Sequence, residues 1–159
     1  MTKIFTGIFL GVFLTIGSAA MAAETAPDPV MGTWKLDAAK STFSAGPAIK
    51  SQTRTYSESA KGITLNMKTV GADGKEMNSD TTYKLDGNDY PVTGAAPYDS
   101  LSGKQVDTHT AEFKLKMAGK PVGTTRRTVS KDGKTLTSTM KVTSATGEKI
   151  DNVLKFDKQ

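Results

Sequence analysis

Few side chains in this sequence combine in a way that could support catalysis. His109 is the only histidine, and it lies in the turn Asp107-Thr108-His109-Thr110, with Asp99 and Glu112 also near it in the sequence. A metal site normally needs three or four converging ligands, and cysteine, another common zinc ligand, is absent. A Ser-His-Asp hydrolase would also have to use His109, but the sequence has no nucleophile-elbow motif. We therefore predict no catalytic residues, no bound metal and no cofactor.

The adjacent arginines Arg126 and Arg127 offer a different chemistry, the binding of an anion. Neighbouring residues of a strand point to opposite faces, so the following turn decides which arginine faces inward. A three-residue loop at 131–133 would place Arg126 inward and opposite Ser138, whereas a two-residue loop would place Arg127 inward. The neighbouring hairpin favours the first alternative. An inward Arg126 could bind a ligand carboxylate through a bidentate, charge-assisted hydrogen bond.

Other side chains on the predicted inward faces could complete such a site. Tyr83 could turn its hydroxyl into a pocket, and Ser138 would lie beside the arginine. Met67 and Met140 could form an adaptable apolar lining, although methionines at such positions also fill solid cores. The predicted ligand-binding residues are Arg126, Tyr83, Met67, Met140 and Ser138.

The elements that carry these residues are β-strands, because apolar and polar residues alternate with period 2 from Trp34 onwards. Short polar turns that contain glycine separate the alternating runs, which is typical of hairpins. The predicted strands lie at about 32–37, 49–58, 62–71, 75–85, 88–93, 98–106, 110–117, 120–130, 134–143 and 148–157. Hairpins that follow one another without crossovers usually close into a barrel. We predict an all-β, antiparallel up-and-down (meander) β-barrel of about 8–10 strands with no helical lid.

Loop lengths predict how the strands pair. Three-residue loops at 72–74 and 145–147 bring the inward faces of their strands together, and a two-residue loop at 118–119 does so for its hairpin. The predicted partners across these loops are Met67 with Ser79, Met140 with Asn152, and Leu115 with Val122.

The N-terminus predicts export. Lys3 precedes an apolar run at 4–16, and Ala20-Met21-Ala22 fits an A-x-A cleavage site. The run is shorter than the roughly 20 residues of a membrane span, and no cysteine follows it that could carry a lipid anchor. The protein is therefore predicted to be periplasmic or secreted. The predicted parts of the chain are a cleaved signal peptide at 1–23, a flexible leader at 24–31 and a β-barrel domain at 32–159.

Charge and composition narrow the possible partners. The formal net charge is +5, but the lysines are scattered and form no basic run with interleaved aromatic residues. We therefore predict no nucleic-acid partner. We also predict no stable membrane span after signal cleavage, and a monomer. Without cysteine, the domain must be held together by burial and strand pairing.

Two short motifs resemble those of known barrel families. Gly32-Thr33-Trp34, a G-x-W at the start of the first strand, resembles the opening of the lipocalins. The sequence GTWKL is also similar to the opening of the fatty-acid-binding proteins, which are relatives of the lipocalins in the calycin superfamily. The late Arg126-Arg127 strand is similar to their closing strands. The departures are the lack of disulfides and a segment at 37–47 that is too short for their helical lid.

The resemblance implies a bacterial lipocalin-like barrel without enzymatic activity that binds a small hydrophobic or amphipathic molecule. It also implies structural roles for Gly32, for Trp34 as a plug of the barrel floor, and for Arg126 stacked across that tryptophan. The alternative is a solid-core barrel that acts as a protein-interaction or inhibitor module in the cell envelope, and an enzyme that depends on His109 is a third hypothesis. A void of several hundred Å³ would favour ligand binding, whereas a filled interior would favour the interaction module.

Overall fold

A computed structural model of the chain describes residues 27–44, 49–144 and 146–159, and within these ranges it contains ten strands and no helix. The predicted signal peptide lies outside the described residues. The strands are β1 (Gly32–Thr42), β2 (Ile49–Ser59), β3 (Gly62–Gly71), β4 (Glu76–Tyr83), β5 (Asp86–Gly94), β6 (Ser100–Asp107), β7 (Thr110–Met117), β8 (Lys120–Val129), β9 (Thr135–Thr143) and β10 (Lys149–Lys158).

The strands form a single closed sheet. Each strand pairs antiparallel with its neighbours in the sequence, and β1 also pairs with β10, so that the order closes into a barrel. This confirms the predicted all-β meander barrel. Closure leaves no long row of unpaired backbone groups at a sheet edge, which stabilises a domain that has no disulfide. The described part of the chain has no helix of the length and apolarity that a membrane span would require.

Two hairpins have the register that their loops predict. Met67 lies opposite Ser79 across the β3–β4 hairpin, and Met140 lies opposite Asn152 across the β9–β10 hairpin. The last residue of each loop is a glycine with positive φ, 80° at Gly74 and 84° at Gly147. Glycine adopts this left-handed conformation without the steric cost that a Cβ atom brings. Both predicted registers are therefore confirmed.

The β7–β8 hairpin departs from the predicted register by one residue. Its two-residue loop is present, with Ala118 and Gly119 both at positive φ as in a type I′ turn. A bulge then follows, and Leu115 lies opposite Gly123, not opposite Val122. Pro121 lies at the start of this irregular stretch, where its missing N–H removes a donor from the ladder.

Gly123, which follows the bulge, lies very close to the neighbouring strand β9. A Cβ atom at this position would collide with the backbone carbonyl oxygen of Lys141 on β9. Only glycine lets the two strands approach this closely. Because one extra residue reverses the two faces of a strand, the bulge determines which residues of β8 point into the barrel.

The Trp34 end of the barrel is closed by a dense apolar floor. Trp34 is fully buried, and its indole Nε1 donates a hydrogen bond of 2.6 Å to the carbonyl oxygen of Val30. Gly32 precedes it with a φ of 116°, which favours glycine. The fully buried side chains around this floor include Val30, Val129, Leu136 and Phe156. The predicted position of Trp34 in the core is confirmed.

The described part of the predicted flexible leader, 27–31, forms a turn that packs against the barrel. Asp28 accepts a hydrogen bond of 2.9 Å from the backbone N–H of Val30, and its carbonyl oxygen accepts one of 3.0 Å from the N–H of Met31. This turn places Val30 under the barrel, where none of its surface is exposed. The rest of the predicted leader, 24–26, lies outside the described residues.

Candidate functional site

A small cavity lies inside the barrel. Its lining includes four of the five predicted ligand-binding residues, namely Met67, Met140, Tyr83 and Ser138. Its volume is about 40 Å³, which is room for about three water molecules. This is far below the several hundred Å³ expected of an open ligand pocket. The described side chains therefore nearly fill the interior.

The prediction that Arg126 faces this cavity is wrong. Arg126 lies opposite Thr139 on the outer face, with its Nη1 atom 2.6 Å from Oε1 of Glu112 and about half of its side chain exposed. The reason is the register: residues 131–134 form the loop after β8, and Arg127 consequently lies opposite Ser138. This exposed position also excludes the predicted structural role of Arg126 at the barrel floor.

Arg127 is the late arginine that the barrel buries, with 3 % of its side chain exposed. Its Nη2 atom lies 2.6 Å from Oδ2 of Asp28, and its Nη1 atom donates a hydrogen bond of 3.0 Å to the hydroxyl of Tyr83. Burial disfavours its charged form, but Tyr83, Tyr56 and Asp28 outweigh this effect and raise the pKa of the guanidinium. Arg127 thus joins the segment before β1 to the barrel wall.

Tyr83 belongs to the same buried cluster. Its ring meets Phe113 edge-on, with 5.4 Å between the ring centroids and an angle of 88° between the planes. Burial raises the pKa of the Tyr83 hydroxyl strongly, while the charge of Arg127 opposes this shift. The hydroxyl consequently remains protonated at neutral pH and can accept a hydrogen bond from Arg127.

Arg54 on β2 is a second inward arginine, and the sequence reasoning missed it. Only 9 % of its surface is exposed, and it lines the same cavity as Arg127. Its Nε atom donates a hydrogen bond of 2.9 Å to Oε1 of Gln52, and its guanidinium carbon lies 4.4 Å from the ring centroid of Phe156. Gln52, Arg54 and Tyr56 occupy alternate positions of β2 and therefore share one face. Because polar residues lie on both faces of this strand, its sequence does not show which face points inward.

The two inward arginines differ in their charge partners. Arg127 has a carboxylate partner in Asp28. In the three described ranges of the chain, no carboxylate lies within salt-bridge distance of Arg54. Two positive charges therefore border the cavity, and one of them, that of Arg127, is compensated by Asp28.

Hydroxyl groups add hydrogen-bonding capacity beside Arg54. Tyr98 is partly buried against the core and lines the cavity together with Ser138. Burial raises the pKa of the Tyr98 hydroxyl, and the positive charge of Arg54 opposes this effect. A protonated phenol and a serine hydroxyl can both donate hydrogen bonds to a negatively charged group.

A second concave region lies on the outside of the barrel. It has a volume of about 480 Å³, and it contains the Arg126–Glu112 ion pair. The exposed side chains of Lys104, Lys114 and Lys141 also border it. We call this region, together with Thr124 and Thr139 within it, the outer groove.

The acidic residues near His109 have structural contacts. The backbone N–H of His109 donates a hydrogen bond of 2.8 Å to Oδ1 of Asp107, and its carbonyl oxygen accepts one of 2.9 Å from Val129. Asp99 accepts a hydrogen bond from the backbone of Ala118. Among the residues that the structure describes, no group of three or more histidine, aspartate or glutamate side chains could hold a metal ion.

The chain matches no protein-family model and no curated protein. The resemblance to the lipocalins and the fatty-acid-binding proteins therefore stays a prediction. We therefore infer the function from the chemistry of the barrel interior and of the outer groove.

Proposed function

We propose that the protein is a non-enzymatic, exported barrel that binds a small amphipathic molecule in its interior. One observation carries this proposal: polar side chains are buried at several inward positions of the barrel. Trp34 is packed among apolar side chains, but buried polar residues occupy many of the other inward positions. These include Gln52, Ser79, Ser138 and Asn152. Burying polar groups costs free energy, and a barrel interior that served stability alone would be filled with apolar side chains.

The size of the cavity limits the size of the ligand. A ligand larger than about 40 Å³ could bind only if side chains in the lining moved. Met67 and Met140 are only partly buried, although both pack against the core and line the cavity. Methionine has three rotatable bonds and repacks at low cost. Movement of these two side chains would enlarge the cavity beyond its 40 Å³ without any change in strand pairing. The proposed ligand is therefore a short molecule with one polar end.

The small cavity favours a second candidate function. In that alternative the interior is a solid core, and the barrel is a protein-interaction or inhibitor module in the cell envelope. The outer groove would then be its binding surface, since it is much larger than the interior cavity. Variants that change one region at a time distinguish the two candidates.

Native mass spectrometry of the protein purified from its own cell envelope tests the proposal. We expect a small-molecule adduct on the wild type and its loss in Ser138→Leu, because leucine would occupy the cavity that the buried serine lines. The matched control is Thr139→Leu, which makes a similar change in the outer groove and should keep the adduct. The near-ultraviolet circular dichroism of Trp34 shows whether each variant is folded.

Two results would contradict the proposal. One is an adduct that persists in Ser138→Leu and disappears in Thr139→Leu, because the molecule would then occupy the outer groove. The other is a mass without any adduct, both as purified and after incubation with hexanoate or 1-hexanol.

A further inference from the structure

Arg54 is in an unusual environment for a charged side chain. A guanidinium in the interior of a protein normally has a carboxylate or phosphate partner, because an uncompensated buried charge is unfavourable. Arg127 follows this rule through Asp28. Arg54 is nine-tenths buried, yet among the described residues its hydrogen-bond partner is an uncharged amide and its cation–π partner is an aromatic ring.

The contacts of Arg54 leave part of its guanidinium available. Its Nε atom is occupied by Gln52, and Gln52 is held in turn by a hydrogen bond of 2.8 Å from its Nε2 atom to Oγ1 of Thr69. Within the described ranges, neither Nη atom of Arg54 has a hydrogen-bond partner, and neither is among the fully buried atoms that lack one, so both remain accessible from the cavity. The Thr69–Gln52 pair therefore orients the side chain while two donor groups remain free to bind a ligand.

We propose that Arg54 binds the anionic group of the ligand, a carboxylate or a phosphate, inside the barrel. This inference rests on the proposed function, and it specifies the charge and the polar end of the molecule. The two Nη atoms can donate a pair of charge-assisted hydrogen bonds to one anion. Tyr98 and Ser138 line the same cavity, and their hydroxyls can donate to the oxygens that remain. Gln52 is a positioning residue for Arg54.

The anion also balances the charge of the interior. With Asp28 already paired to Arg127, one bound anion would neutralise the remaining positive charge, that of Arg54. Its alkyl part would then extend between Met67 and Met140, which line the cavity and are able to repack. Recognition would thus use the charge at one end of the molecule and the apolar surface at the other.

Isothermal titration calorimetry with hexanoate, hexyl phosphate and 1-hexanol tests the inference. We expect the wild type to bind at least one of the two anions about 10-fold more tightly than the alcohol. In Arg54→Gln that anion should bind roughly 10- to 100-fold more weakly, the factor that corresponds to lost charged hydrogen bonds. The affinity for 1-hexanol should stay within about twofold. Arg126→Gln makes the same chemical change on the outer face and is the matched control.

The outcomes separate this inference from the proposed function. Binding of 1-hexanol with equal or weaker binding of both anions would overturn the role of Arg54 alone, as would equal losses in Arg54→Gln and Arg126→Gln. Failure of all three probes to bind the wild type would overturn the proposed function as well. A nuclear magnetic resonance measurement on the wild type needs no variant: the Nε–H signal of Arg54 should shift with the anion and not with 1-hexanol. An unchanged signal at saturating anion would also overturn the inference.

Discussion

Trp34→Ala should lower the free energy of unfolding by about 3–5 kcal/mol. Trp34 is fully buried, and replacing its indole with a methyl group would leave a cavity in the barrel floor beside Val30. The substitution also removes the hydrogen bond from the indole Nε1 atom to the carbonyl oxygen of Val30. Since single domains are stable by roughly 5–15 kcal/mol, this loss would be a large fraction of the total.

Urea denaturation followed by far-ultraviolet circular dichroism measures the effect of Trp34→Ala, because the variant has no tryptophan fluorescence. Trp34→Phe is the control: it keeps an aromatic ring in the floor and removes the indole hydrogen bond, so its loss should be clearly smaller. A loss below about 1 kcal/mol for Trp34→Ala would mean that the floor does not depend on this side chain.

Arg127→Met should destabilise the fold by about 3–5 kcal/mol, the cost of breaking a buried ion pair on one side. The substitution leaves the carboxylate of Asp28, only 15 % exposed, without its partner. It also removes the hydrogen bond that the Tyr83 hydroxyl accepts. We expect the segment that contains Val30 to lose its anchor to the barrel as a result.

Arg126→Met provides the matched control, because Arg126 is the sequence neighbour of Arg127 and pairs with Glu112 on the exposed face. Exposed ion pairs contribute about 0–1 kcal/mol, so this variant should be almost as stable as the wild type. The measurement is chemical denaturation of both variants, together with Asp28→Asn and the Asp28→Asn/Arg127→Met double variant to obtain the coupling energy. Equal losses in the two arginine variants would contradict the assigned orientation of β8.

The fold was predictable because a single signal, the period-2 alternation, runs through most of the strands. The registers at Met67 and Met140 also followed from local chemistry, since one loop length matched the inward faces on both sides. Such information lies within a hairpin and needs no knowledge of distant residues. The closure of β1 against β10 then follows from the number of strands.

The prediction that Arg126 and not Arg127 points inward was wrong because of irregularities at both ends of β8. A bulge near Pro121 and Gly123 shifts β8 by one residue relative to β7, and the loop at 131–134 has a length other than the three residues predicted. Both changes lead to the same orientation of β8, in which Arg127 and not Arg126 points inward. The close approach of Gly123 to Lys141 involves the next strand, so no pattern within β8 reveals it.

The remaining features of the site depend on contacts between residues that are far apart in the sequence. Asp28 and Arg127 are separated by 99 positions, and neither residue shows the pairing through its local pattern. The position of Arg54 over Phe156 also joins distant parts of the sequence, because it follows from the closure of the barrel. A buried charge without a carboxylate partner can be recognised only when the surrounding strands are in place.

Intermolecular nuclear Overhauser effects directly measure where a small molecule binds to the barrel. In a complex of the wild type with hexanoate, we predict contacts from the alkyl protons of the ligand to the methyl groups of Met67 and Met140. Contacts confined to the methyl groups of Thr124 and Thr139, which lie in the outer groove, would place the ligand outside the barrel and contradict the account.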